Sequence, residues 1–144
     1  VPYRRWPHAT ATFNAMLRTA ERLKAGRAHE LGIIDGLAED YAALIAMAVA
    51  RVRELSGRVT PIGDAPVVVS IEPVEARAAS GQVLSRECID LMEQAILEAA
   101  AAKSFAEALE VGYKAFGLSA CIESAREGIT SFKEKRTPDF SKTK

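Results

Sequence analysis

The stretch ESAREGITSFKEKRTPDF, residues 123–140, gives the clearest indication of the fold. Ser124 and Glu127 have the spacing of a capping box, in which a serine hydroxyl accepts the amide hydrogen three residues on and the glutamate reaches back. Pro138 cannot continue a helix. The stretch therefore predicts a final helix that begins near Ser124, and Gly117 predicts a break in the chain ahead of it.

Apolar residues at helical spacing predict further helices on both sides of the middle of the chain. A long helix is expected from Ser85 to about Ala102, and a second capping-box spacing predicts a helix start at Ser104. Asp40 is the expected N-cap of a helix that ends by Gly57. The apolar stripes of the helices consist of Phe13, Met16, Leu17, Ala20 and Leu23, of Tyr41, Ile45, Ala48, Val49 and Val52, and of Ile89, Met92, Ile96 and Ala99.

The first of these helices is expected to break near Gly26, and Gly32 is a left-handed stop ahead of a brief extended segment at 33–34. Residues 58–81 then interrupt the helical pattern, because they contain Pro61, Gly63, Pro66 and Pro73. The run VVVSI at 67–71 favours a strand, but the sequence shows no edge with which a strand could pair. We therefore expect an extended connection, with a helical turn at 74–79.

The composition indicates a globular protein of the mainly α class. The 144 residues suit one domain, and a hydrophobic content of 49% is ample for a core. Alanine is abundant while aromatic residues make up only 6%, which favours helices. The 19 basic residues balance 19 acidic ones, so no overall field draws nucleic acid or an anionic membrane to the surface.

The sequence gives no indication of a metal-binding, disulfide-linked or membrane-spanning protein. Cys88 and Cys121 lack the paired short spacing of a zinc site, and His8 and His29 are too isolated to form a metal pair. No apolar run reaches the roughly 20 residues that span a bilayer, and the start has no signal-peptide pattern. We therefore expect reduced thiols, no metal and a cytoplasmic location.

Residues 123–140 closely resemble the terminal helix of the crotonases, the enoyl-CoA hydratase/isomerase family. A second stretch, TAERLKAGRAHELGIID at 19–35, resembles the family segment Thr-Gly-x-x-Ile-x-Ala-x-x-Ala-x-x-x-Gly-Leu-Val-Asp. Three positions depart from what is usual in the family: Ala20 replaces a glycine, Lys24 replaces a small helix-capping residue, and Gly26 replaces an acidic or amide residue. The resemblance covers most of the chain except roughly 58–80.

The resemblance implies a C-terminal helical subdomain of a crotonase-like fold, with about five or six helices and one extended insertion. Residues 1–57 would continue from a catalytic core outside this chain, 58–81 would be the insertion, and 82–144 would hold the C-terminal helices. The parent enzyme would hydrate or isomerise an acyl-CoA thioester, using backbone amides for the thioester oxygen and carboxylates for proton transfer.

Nothing in this chain resembles the catalytic core of the family. No catalytic residue is therefore assigned, and the chain alone is expected to be inactive. A start at Val1 rather than at a methionine fits a piece of a longer protein. The glutamates that in principle serve as acids or bases are expected on solvated helix faces: Glu21, Glu30, Glu87 and Glu93.

Phe132 and Lys135 are the candidate binding residues. They are three residues apart and are predicted to share one face of the last helix. In crotonases the matching phenylalanine and lysine often help to bind the nucleotide end of coenzyme A, because an aromatic face packs on adenine or pantetheine and an ammonium pairs with phosphate. The alternative is that Phe132 lies in the core and Lys135 is a solvated charge. No covalent cofactor is expected.

The expected partners are further copies of the chain as a homotrimer, the catalytic N-terminal core of the parent enzyme, and acyl-CoA. Nucleic acid and membranes are not expected partners. The alternative function is a non-enzymatic helical assembly module, because the C-terminal helices of the family also build its trimer interface. A third hypothesis, nucleic-acid binding through the basic and aromatic residues 3–6, is disfavoured by the neutral charge balance.

Overall fold

The structure is a computed structural model that describes residues 1–58 and 60–143, without the side chain of Lys142. This described part is mainly helical, with seven α-helices instead of the five or six predicted and with no strand, and it confirms the predicted mainly α class. The chain divides into two compact units. The larger unit comprises Val1–Glu21 and Gly63–Lys144, and the smaller unit comprises Arg22–Ile62.

The larger unit is built around a pair of long helices, α5 (Arg86–Ala101) and α6 (Phe105–Ser119). A three-residue connection joins them, so they pack side by side in opposite directions. The remaining helices are α1 (Pro2–Arg5), α2 (Thr10–Thr19) and α7 (Glu123–Lys133), with 3₁₀ turns at Pro7–Ala9 and Phe140–Lys142. The core side chains are Tyr3, Ala9, Phe13, Ile89, Ile96, Ala100 and Ala108.

Two of the predicted helix starts in this unit are confirmed. The Ser85 hydroxyl accepts the amide hydrogen of Cys88 at 3.0 Å, and the Ser104 hydroxyl accepts that of Glu107 at 3.1 Å. The break predicted at Gly117 is wrong, since α6 continues to Ser119. A helical glycine costs only about 1 kcal/mol, and packing along α5 outweighs that cost.

The capping box predicted at Ser124 is also wrong. Helix α7 begins one residue earlier, and its N-cap Ile122 makes no side-chain cap bond. Ser124 is buried, and its hydroxyl donates to the Glu87 carboxylate at 2.9 Å while accepting from Ser85 at 2.6 Å. Polar groups in the first turn of α7 thus find their hydrogen-bond partner on α5. Glu87 is therefore not the solvated carboxylate expected from the sequence.

Helix α2 ends earlier than predicted, at Thr19 rather than near Gly26. Ala20 takes the left-handed conformation with φ of 54°, and its amide donates to the Ala15 carbonyl. This backbone position favours glycine, because a Cβ atom is strained there. The helical stripe expected as far as Leu23 is therefore cut short by the backbone.

The smaller unit contains α3 (Ala25–Glu30) and α4 (Tyr41–Leu55). The stop predicted at Gly32 is confirmed, with φ of 63°, but residues 33–34 form bends instead of an extended segment. The predicted cap of α4 is confirmed as well, since the Asp40 carboxylate accepts the Ala43 amide hydrogen at 2.8 Å. No residue of α4 is buried, although the sequence gives this helix an apolar stripe.

The connection that begins at Gly63 is extended as far as residue 75, and the helical turn predicted at 74–79 does not form. In place of strand pairing, polar side chains of the larger unit hold its carbonyls. Arg4 donates to the carbonyls of 63–65, Asn14 to that of Ser70, and Arg86 to that of Val74. Arg18 donates to the Glu72 carbonyl in the same way.

None of the helices in the described part of the chain has the length and the apolar character needed to cross a bilayer.

Candidate functional site

The two candidate binding residues lie at the C-terminal end of α7. This helix ends at Lys133, so the prediction that Lys135 lies on it is wrong. Lys135 instead occupies a left-handed turn with φ of 54°, and its amide donates to the Phe132 carbonyl at 3.3 Å. The next amide, that of Arg136, donates to the Ser131 carbonyl at 3.0 Å. This pair of bonds closes the helix end in a Schellman-type motif, whose left-handed residue is usually glycine.

Phe132 is 85% exposed, so it does not lie in the core of the described structure. It belongs to an outward surface of α7, which we call the α7 face and define as Arg126, Ile129, Phe132 and Lys133. Ile129 lies three residues after Arg126, three before Phe132 and four before Lys133, and all four residues are exposed. Ser124 and Ser131 are buried on the opposite side of the helix. The face therefore combines two large apolar side chains with two cations.

Some basic side chains at this end of α7 form ion pairs, and others do not. The Arg136 guanidinium binds both oxygens of the Glu127 carboxylate, at 2.5 and 2.9 Å, and also the Glu134 carboxylate at 2.6 Å. Within the described chain, Arg126, Lys133 and Lys135 form no ion pair. Three exposed cations near an exposed phenyl ring are an arrangement that suits a phosphorylated aromatic ligand.

The Arg136 contact has a clear effect on Glu127. Hydrogen bonds from the Arg136 guanidinium and from the Asp139 amide lower the pKa of the Glu127 carboxyl to about 2. The carboxylate is therefore charged at neutral pH and fastens the segment after α7 to the helix. A polar cleft of about 630 Å³ lies beside this clamp, lined by Glu123, Arg126, Glu127, Thr130, Arg136, Asp139 and Thr143.

A second, apolar cavity lies along α5 and α6 and has a volume of about 590 Å³. Its lining includes Tyr113 and Phe116, whose rings are largely exposed, the latter by 79%. Neither residue was among those predicted from the sequence. Their spacing of three on α6 is the only signal in the sequence, and the same spacing would occur in a core-facing helix.

Several other candidates have structural roles. Glu93 forms an ion pair with the buried Arg18 at 2.6 Å instead of lying on a solvated face. Burial raises the pKa of the half-buried Cys88 thiol, and Cys88 and Cys121 are both free thiols. Among the described residues, no group of three or more histidine, cysteine or acidic side chains could hold a metal ion.

Residues 3–6 point largely into the larger unit. The Tyr3 hydroxyl donates to Asn14 at 2.7 Å, and the Trp6 ring lies 6.0 Å from that of Phe13. The Arg4 guanidinium donates hydrogen bonds to backbone carbonyls. These three side chains are therefore committed to internal contacts, and they offer little to a nucleic acid.

No model of a known protein family, no curated protein and no solved structure matches this chain.

Proposed function

We propose that this chain is the C-terminal helical part of an enoyl-CoA hydratase/isomerase-like enzyme that acts on acyl-CoA thioesters. It contributes self-association, expected as a homotrimer, and a surface for coenzyme A. The chain has no catalytic residues of its own, and it acts together with the catalytic N-terminal core of the parent. The proposal includes a cytoplasmic location, which the two free thiols support, and no covalently bound cofactor.

The backbone supports the resemblance at two of the three positions where the sequence departs from the family. Ala20 stands where the pattern has glycine, and its backbone is left-handed, as glycine prefers. Lys24 stands where the family usually has a small capping residue, and it is the N-cap of α3, although its side chain makes no capping hydrogen bond. Gly32 matches the second glycine of the pattern and is left-handed too. The backbone at Ala20 and Lys24 is thus compatible with the residues that the family usually has there.

The observation that carries the ligand role is the exposed Phe132 ring three residues before Lys135, which forms no ion pair within the described chain. A phenylalanine that is 85% exposed contributes little to this chain alone, because burial of its ring is what stabilises a fold. The lysine is retained at a left-handed position where glycine would be unstrained. Strain at a residue with a chemically useful side chain is a common feature of ligand sites.

The test is binding of coenzyme A to the whole chain, measured by calorimetry at low salt for the natural sequence, Phe132→Ala and Lys135→Ala. Both substitutions should weaken binding, and the lysine effect should diminish as salt screens the phosphate charge. Pantetheine lacks the nucleotide, so its binding should not respond to Lys135→Ala.

Lys114→Ala is the matched control, since Lys114 is an exposed lysine on α6 and forms no ion pair in the described structure. It should leave the affinity for coenzyme A unchanged. Equal effects of the two lysine substitutions, or no binding at millimolar coenzyme A, would overturn the ligand role.

A second candidate function is a non-enzymatic helical assembly module. It is favoured by the small core, because no side chain of the described residues is fully buried while many large apolar ones are exposed. Exposed apolar surface on this scale is typical of chains that bind other chains. An affinity for coenzyme A that depends on Phe132 and Lys135 separates the first function from the second.

A further inference from the structure

A third cavity of the chain lies among α2, α5 and the start of α7 and has a volume of about 320 Å³. All of its lining residues belong to the larger unit, and we call it the Arg18 cavity after the charged residue in its wall. It lies on the side of α7 where Ser124 is buried, opposite to the α7 face. Its apolar walls include Leu84, Ile89, Met92, Ile122 and Phe140.

The guanidinium of Arg18 is almost fully buried, with only 4% of the residue exposed, and yet it has a donor group to spare. Its Nε and Nη2 atoms bind the Glu93 carboxylate at 2.9 and 2.6 Å, and Nη2 also donates to the Glu72 carbonyl. Within the described chain, Nη1 forms no hydrogen bond. Buried polar groups in folded proteins are nearly always paired, with protein, water or a ligand. The apolar walls around Arg18 favour a ligand that brings apolar surface together with an acceptor.

The balance of charge around the cavity favours a neutral ligand. Among the described residues of the lining, Arg18 alone is charged, and Glu93 compensates it. A bound anion would bring a second negative charge close to Glu93, in a place where an uncompensated charge is costly. A bound cation would meet the Arg18 guanidinium. An uncharged carbonyl oxygen accepts a hydrogen bond from Arg18 without either cost.

The other polar side chains of the lining are committed to the protein or are weak donors. The Ser85 hydroxyl donates to Ser124 at 2.6 Å, and Ser124 donates to Glu87 at 2.9 Å. Ser119 donates to a backbone carbonyl of its own helix at 2.7 Å. Burial raises the pKa of the Cys88 thiol, so this group is protonated at neutral pH and donates only weakly. The cavity thus offers a ligand one strong donor and an otherwise apolar surface.

We propose that the Arg18 cavity binds a neutral aliphatic carbonyl compound, such as a ketone, an ester or an amide. The carbonyl oxygen accepts a hydrogen bond from Arg18 Nη1, and the hydrocarbon chain lies against Ile89, Met92 and Phe140. An apolar cavity of about 150 Å³ holds one benzene ring, so a cavity about twice that volume suits a ligand of roughly ten non-hydrogen atoms. The site goes beyond the proposed function, and it does not depend on coenzyme A.

The first experiment is calorimetric titration of the whole chain with 2-nonanone, a ketone of this size. We expect a dissociation constant of about 0.1–1 mM. Nonanoate has the same carbon chain and a charged carboxylate, and it should bind at least about tenfold more weakly. Absence of ketone binding, or equal binding of nonanoate, would overturn the proposal.

A filled cavity tests the location. Ala125 is half-buried in the lining, so Ala125→Leu should reduce the volume and weaken binding of 2-nonanone by about tenfold or more. Ala106→Leu is the matched control, because Ala106 is exposed on α6 and outside the lining, and it should leave the affinity unchanged. Circular dichroism checks that both variants remain helical. Equal effects of the two substitutions would contradict the location.

The Cys88 thiol reports occupancy without any change to the walls. In a Cys121→Ser background, Cys88 is the remaining thiol, and N-ethylmaleimide alkylates it at mildly alkaline pH. Saturating 2-nonanone should slow this alkylation several-fold, and nonanoate at the same concentration should not. An unchanged rate in the presence of bound ketone would place the ligand elsewhere and overturn the site.

The role of Arg18 is tested with the double variant Arg18→Met, Glu93→Met. Apolar replacement of a whole buried ion pair is often tolerated, so this variant should fold while it lacks the donor. It should bind 2-nonanone roughly tenfold more weakly. The infrared carbonyl stretch of the bound ketone should lie at lower frequency in the natural sequence than in the variant, because a hydrogen bond weakens the C=O bond. Equal frequencies would show that Arg18 is not the donor.

Discussion

Lys135 combines an unfavourable backbone conformation with a side chain that suits phosphate binding. Its left-handed conformation costs roughly 1 kcal/mol relative to glycine. Lys135→Gly should therefore raise the free energy of unfolding by about 0.5–1 kcal/mol in urea denaturation, while it weakens binding of coenzyme A. This opposition of stability and affinity is what we expect of a residue retained for a ligand.

The control for this prediction is Gly32→Ala, which introduces a Cβ atom at another left-handed position and should destabilise the chain. A Lys135→Gly variant with unchanged affinity for coenzyme A would show that the ammonium group is only a solvated charge.

Tyr3 should make the stability of the folded chain depend on pH in the alkaline range. Burial raises the pKa of its hydroxyl to about 12 from an ordinary value of 10.0. Because the folded state holds this proton more tightly than the unfolded state, the resulting stabilisation is complete below pH 10 and is lost as the pH rises towards 12. Denaturant titrations at several pH values should show this loss, and Tyr3→Phe should reduce it. An identical decline in both proteins would contradict the assignment to Tyr3.

At the scale of elements, the start of α7 depends on Glu87 of α5. Its carboxylate accepts the Ser124 hydroxyl at 2.9 Å and lies 3.4 Å from the Ser124 amide nitrogen. Glu87→Ala leaves a buried hydroxyl with fewer partners and should lower the free energy of unfolding by about 1–2 kcal/mol. Chemical denaturation measures the change. Glu110→Ala, on an exposed position of α6, is the control and should have little effect.

The extended connection shows a second dependence between distant elements. Its carbonyls accept hydrogen bonds from Arg4, Asn14, Arg18 and Arg86, which lie on α1, α2 and α5. The sequence indicated an extended segment, since prolines break helices and no strand was available for pairing. It did not indicate what replaces a strand, because arginine side chains reach many acceptors and sequence spacing does not select among them.

At the scale of the whole molecule, the proposed role as the C-terminal part of a longer enzyme predicts that the chain does not perform chemistry alone. We expect no measurable hydration of crotonyl-CoA by the purified chain, because an oxyanion-binding amide pair and matched carboxylates are what lower the barrier. Spectrophotometric loss of the conjugated double bond is the measurement. If turnover occurs, Glu93→Gln tests whether the carboxylate that pairs with the buried Arg18 is its source.

The sequence by itself determined the features that are local. The helix starts at Ser85, Ser104 and Asp40 and the stop at Gly32 were all predictable, because a cap is formed by atoms within about four residues of one another. The mainly α class follows from the same short-range preferences summed along the chain.

Only the tertiary structure decided the features that depend on distant residues. Gly117 stays helical because α5 packs along α6, and α7 is capped by Glu87 in place of its own capping box. The exposure of Phe132 belongs to this class as well. An apolar stripe has the same spacing whether it faces a core or another chain, so periodicity identifies the face but not what covers it.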